Sequence, residues 1–101
     1  MQSQTVVTEN VFEAHLSERL SFSDNSAFRK LLDDMQLSKT RQWVIDLAEL
    51  VSVDSAALGM FIIAAEAAKK GGTALTLRSP TGHVRRLIEL SKIDKLMYVE
   101  Y

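Results

Sequence analysis

Apolar and polar residues alternate over residues 11–17. Phe12, Ala14 and Leu16 fall on one side, and Val11, Glu13, His15 and Ser17 on the other. A repeat of two is that of an extended strand, so VFEAHLSERL (11–20) is expected to turn its apolar side to a core. TVVT (5–8) reads as a strand before it, with Glu9-Asn10 as a tight hairpin connection. The period then lengthens: Phe28, Leu31, Leu32 and Met35 recur at helical spacing, after Ser23 or Asp24 as the cap. RQWVIDLAEL (41–50) is a buried strand, expected to end near Asp46 where polar residues return.

Residues 55–70 form a second helix, closed by Lys69-Lys70 and then Gly71-Gly72. Cations in a last turn and glycine beyond it suit a helix C-terminus. TALTL (73–77) is a further strand. SPTGHVRRLIELSK then places Ser79 as a cap and Pro80 at the first helical position. Val84, Leu87, Ile88 and Ser91 share one side of this helix, with Arg85, Arg86 and Glu89 away from it. KLMYVEY supplies a last short strand. The order β-β-α-β-α-β-α-β predicts an α/β fold in one domain over residues 1–101. Its mixed, mainly parallel sheet follows an initial hairpin and packs with helices on one or both faces.

Composition narrows the function classes. Twelve basic and thirteen acidic residues give a net charge of -1, which argues against a broad footprint for nucleic acid or an anionic membrane. The chain has no cysteine, which removes disulfides and thiolate metal sites. No apolar run reaches the length of a membrane span, and no secretory leader is read at the start, so a cytoplasmic location is expected.

The second helix is unusual because its apolar residues surround it. With Leu58 at the centre of the inward side, Phe61, Ile62 and Ala65 fall beside it. Ala56, Met60, Ile63, Ala64 and Ala67 then fall opposite, where a surface helix normally carries charge. This predicts an exposed apolar stripe suited to docking by another protein. Ser55 opens the helix. Its hydroxyl is either a plain N-cap, a role Asp54 can also fill, or a modification site at a helix N-terminus that tolerates an anion.

In WVIDLAELVSVDSAALGMFIIAAEAAKKGGTALTL, three pieces stand in a particular order: Val44-Ile45-Asp46-Leu47, then Asp54-Ser55-Ala56-Ala57-Leu58-Gly59, then Gly71-Gly72. This arrangement resembles the STAS domain, in particular the bacterial anti-sigma factor antagonists. FRKLL (28–32) and VRRLIELSKIDKL (84–96) extend the resemblance over about the whole chain. The resemblance implies that Ser55 is phosphorylated by a GHKL-type serine kinase that is also the anti-sigma factor. The unphosphorylated domain binds that kinase, and a PP2C-type phosphatase restores the serine. Asp54 would position the serine. The implied partner surface is Asp54, Ser55, Ala56, Gly59, Met60 and Ile63, helped by Ser21, Ser23 and Asp24. Neither catalysis nor a cofactor or metal is implied. Two departures stand out. Ala56 and Ala57 replace the hydroxyl-bearing residues of many relatives, and the glycine-aspartate common after the second strand gives way to the region of Glu18 and Ser21. Some relatives are constitutive subunits of lipid-transport ATPases, so a non-switched interaction subunit is the alternative.

Enzyme chemistry finds little support. His15 and His83 are the only histidines, no G-x-S-x-G elbow surrounds Ser55, and two distant histidines give no metal-ligand spacing. A small-ligand sensor taking an anion or nucleotide near Ser55 is a third class with little support in the residues. Gly71-Gly72 follows a helix and precedes a strand, which is the wrong context for a phosphate loop. Trp43 is expected in the core.

Overall fold

A computed structural model describes residues 1–101. Five strands form one sheet in the order β1-β2-β3-β4-β5: β1 Gln2–Val7, β2 Val11–Leu20, β3 Gln42–Val53, β4 Ala74–Arg78 and β5 Tyr98–Glu100. β1 pairs antiparallel with β2, and every later neighbour is parallel. Helices α1 (Asn25–Ser38), α2 (Ser55–Lys70) and α3 (Gly82–Ser91) supply the crossovers. The predicted α/β class, element order and mainly parallel sheet are therefore present.

The strict alternation in β2 is realised in space. Phe12, Ala14 and Leu16 are buried in one cluster with Trp43, Ile45 and Leu47 of β3 and Leu75 and Leu77 of β4. All three helices seat on that same face. α1 contributes Phe28, Leu31, Leu32 and Met35, and α3 contributes Val84 and Ile88. Phe28 meets Phe61 of α2 edge-on, with ring centroids 6.2 Å apart. The other face carries Glu13, His15, Asp46 and Arg78.

Four local expectations need correction. β3 does not end near Asp46 but runs on to Val53. Its pairing with β2 shifts register twice, between His15 and Ser17 and between Glu18 and Arg19. Each shift sets an additional β3 residue against β2, so the exposed pair Ala48-Glu49 belongs to a bulge and Leu50 turns inward again. Asp46 accepts a hydrogen bond from the Ala48 N–H at 2.9 Å, which satisfies a donor at the irregularity. The start of α3 also differs. Its cap position is Thr81, while Ser79 adopts φ 57° and donates its N–H to Glu100 O at 2.7 Å. Ser79-Pro80 thus belongs to the connection that β5 holds in place. Ser91, grouped with the inward residues of α3, is exposed and donates its hydroxyl to Ile88 O at 3.1 Å.

The fourth correction concerns the side of α2 that faces the sheet. The buried residues are Ala57, Met60, Phe61, Ala64 and Ala68, a stripe at spacings of three and four. Leu58, Ile62 and Ala65 are only half-buried. The helix is rotated from the expected orientation, and Met60 and Ala64 lie in the core instead of on an outer stripe. Small alanines at 57, 64 and 68 let the backbone of α2 approach the sheet closely, while Met60 and Phe61 fill the space between.

Candidate functional site

The N-terminus of α2 is organised by Asp54. Its backbone is extended, and its Oδ1 accepts from the Ala57 N–H at 2.9 Å, which makes Asp54 the N-cap. Its other oxygen, Oδ2, accepts from the Phe22 N–H at 3.0 Å. Its own N–H donates to Leu20 O at 3.3 Å. One residue, through its backbone N–H and its carboxylate, thereby ties the end of β2 and the turn after it to the start of α2. That turn, Phe22–Asp24, is a short 3-10 helix. Ser21 precedes it and donates its N–H to Asp24 Oδ2 at 2.9 Å, while the Ser21 and Ser23 hydroxyls lie 2.8 Å apart.

Because Asp54 does the capping, Ser55 does not. Ser55 occupies the first helical position, is exposed, and its hydroxyl bonds to no protein group. No histidine or carboxylate hydrogen-bonds it, so it has no general-base partner of the kind a nucleophilic serine requires. Gly59 and Ile63 follow Ser55 at steps of four along one edge of the helix. Ile63 is 53% exposed, and a Cβ built at Gly59 would meet nothing within 4 Å. Nothing inside this chain demands a glycine there, although glycine weakens a helix interior. Ala56 is half-buried beside them.

Of the expected surface residues, the structure brings together Ser55, Ala56, Gly59 and Ile63 with Asp54 and the Ser21–Asp24 turn. It takes Met60, 5% exposed, out of that surface. It adds Phe22, whose ring is 72% exposed on the turn that Asp54 holds. An aromatic residue amid SFSD, where no apolar period claims it for the core, was the available signal.

A second polar group lies across the helix-free face of the sheet. His15 stands opposite Asp46, and Asp46 opposite Arg78, in the strand register. Arg78 donates through Nε to Asp46 Oδ2 at 2.8 Å and through an Nη to Glu13. His15 Nε2 lies 3.0 Å from a Glu13 oxygen. The Arg78 guanidinium, through its hydrogen bond, holds the Glu13 carboxyl below its ordinary range. Burial pushes Asp46 up, but the Ala48 N–H and Arg78 outweigh it and leave that carboxyl low as well. Glu13 first and Asp46 second raise Arg78 in turn. The expectation that the histidines have no ligand spacing needs amending, since ligand atoms of Glu13, His15 and Asp46 lie within 4.8 Å of one another. Both carboxylates are nevertheless engaged by Arg78, and a metal ion would have to displace it. His83 is exposed near the start of α3.

A family model described as "Mlab, STAS domain" matches residues 5–99. The chain belongs to the STAS family. Solved structures support the same fold. The STAS chain is similar to an anti-sigma factor antagonist from Mycobacterium paratuberculosis at 17% identity and a TM-score of 0.86, covering 98% of this chain and 84% of that one. It is similar to a putative anti-sigma factor antagonist from Thermotoga maritima at 19% identity and a TM-score of 0.85, covering 98% and 86%. It is also similar to the Bacillus cell fate determinant SpoIIAA in its phosphorylated form at 15% identity and a TM-score of 0.73, covering 99% and 92%. No curated protein sequence matches the chain. No helix of this STAS domain is long and apolar enough to cross a membrane.

Proposed function

We propose that this STAS domain is a phosphorylation-switched protein-binding module of the anti-sigma factor antagonist kind. It acts in the cytoplasm by binding rather than catalysis, and its partner is a GHKL-type serine kinase or related regulator. The docking surface is Ser55, Ala56, Gly59 and Ile63 on α2, with Phe22, Ser23 and the Asp54-held turn beside them. One observation carries the proposal: the Ser55 hydroxyl is exposed and unbonded at the first position of α2, because Asp54 fills the capping role. A kinase can reach it without breaking a native contact. A phosphoryl group there adds about -1.5 to -2 charges. The helix N-terminus tolerates that anion, so the fold persists. A docking partner would have to desolvate the dianion beside the Asp54 carboxylate, and binding weakens. A PP2C-type phosphatase reverses the step.

The test compares Ser55→Ala and Ser55→Asp against the captured kinase-type regulator. Ser55→Ala should bind like the parent, and Ser55→Asp about tenfold or more weaker, which corresponds to roughly 1.4 kcal/mol or more. Equal binding by both variants would falsify the switch. A second reading is a non-switched STAS subunit of a larger complex such as a lipid-transport ATPase. It is favoured by the matching family model, which is described as an Mlab STAS domain. Intact mass spectrometry of the protein from its own cells separates the two. One added phosphoryl group mapped to Ser55 supports the switch, and its absence in every growth state supports the subunit.

A further inference from the structure

The C-terminal ends of α1 and α2, remote from Ser55, frame a groove of about 1240 Å3. That is room for a drug-sized molecule. Met35, Trp43, Ile63 and Ala67 give it an apolar lining, and Lys39, Arg41, Lys69 and Lys70 bring four cations to it against one carboxylate, Glu66. The chain as a whole has a net charge of -1, so this is a local surplus of positive charge.

None of these four cations pairs with a carboxylate. The ion pairs made by lysine and arginine side chains are Lys30–Asp34, Arg85–Glu89 and those of Arg78. Lys69 and Lys70 also complement the C-terminal dipole of α2. Lys39 and Arg41 come from the far side of the groove, and the end of α2 does not explain them. A second observation concerns the lining itself. Trp43 is 3% exposed, and its indole Nε1 is a buried side-chain donor without a partner. Nε1 has no accessible surface, so what Trp43 presents to the groove is apolar ring and not its N–H. The backbone N–H groups of the Gly71-Gly72 turn are already bonded to Ala67 O and Lys69 O, which leaves recognition to side chains.

We propose that this groove binds a small amphiphilic oxyanion. Its anionic head sits among Lys39, Arg41, Lys69 and Lys70, and its apolar body lies against Trp43, Met35 and Ile63. Charge surplus selects the head and the lining selects the body. The groove shares Ile63 with the proposed docking surface but not Ser55, and its cations lie at the opposite end of α2 from that serine.

Trp43 is the only tryptophan, so its emission reports on the groove directly. The full chain is titrated with octyl phosphate, octanoate, inorganic phosphate and octanol. Octyl phosphate or octanoate should give a saturable change in Trp43 emission that weakens with added salt. Which of the two binds tighter assigns the head group as phosphate or carboxylate. Removing one methylene should weaken binding by up to about fourfold. Arg41→Glu/Lys69→Glu should weaken it at least tenfold while keeping the parent's circular dichroism and thermal midpoint. Should that reversal disturb folding, Arg41→Gln/Lys69→Gln gives the same readout with a smaller loss. The proposal is overturned by no saturable change with either amphiphile, or by unchanged affinity in a folded charge variant. It is equally overturned if inorganic phosphate or octanol binds as tightly as the amphiphiles.

Discussion

The two polar constellations of this STAS domain use their hydrogen bonds in opposite ways. On the helix-free face, Glu13, His15, Asp46 and Arg78 spend theirs on one another, and the Ala48 N–H takes a further Asp46 oxygen. At the start of α2, Asp54 spends both oxygens on backbone amides, and in doing so leaves the Ser55 hydroxyl free. A closed network stabilises the fold and has little left to offer a partner. An open one costs some local stability and presents a group to the outside.

The largest effect that separates the two should come from Arg78→Leu. It leaves buried Asp46 and half-buried Glu13 facing each other without their cation. Stability should fall by about 2 kcal/mol, given the partial exposure of the group, as measured by urea unfolding, with partner binding unchanged at equal folded concentration. Lost binding there would place the network in the interface and break the contrast. The same network gives a pH dependence. Glu13 and Asp46 are held low in the folded state, so their contribution is present at neutral pH. It is lost as pH falls below about 4. The parent's acid unfolding should therefore be steeper than that of Glu13→Gln.

Asp54→Ala should have a mixed effect. Loss of the cap costs about 1 kcal/mol, and loss of the Phe22 tether loosens the turn. Amide hydrogen exchange at Phe22 should quicken, and binding should weaken beyond what Ser55→Ala does. Unchanged exchange would mean that Asp54 is only a cap. The smallest effect is the most discriminating. Gly59→Ala adds a Cβ into open space and should raise stability by roughly 0.5–1 kcal/mol while weakening the partner complex. A variant more stable and equally tight would remove Gly59 from the docking edge.

Most of the fold was legible because its signals are local. The alternation in β2 and the spacing of Phe28, Leu31, Leu32 and Met35 point to their buried sides without reference to the rest of the chain. The D-S-x-x-L-G segment located Ser55 at a helix start. The misreadings have a common cause. A helix apolar on nearly every side has no preferred face of its own, so α2 could not be oriented from its residues. Likewise, the polar return after Asp46 looks the same whether a strand ends or bulges, and only the pairing partner decides.

By itself, the sequence determined the order of elements, the inward sides of β2 and α1, and the position of Ser55 at the head of α2, because each depends on neighbours a few residues apart. Tertiary structure alone decided that Met60 and Ala64 turn inward, that Asp54 rather than Ser55 caps the helix, and that Phe22 stands beside them. It also brought Arg78 to Glu13, 65 residues away in the chain. Those outcomes depend on which surfaces compete for the same buried space and which donors compete for the same oxygen. Such competition is settled only when distant segments meet.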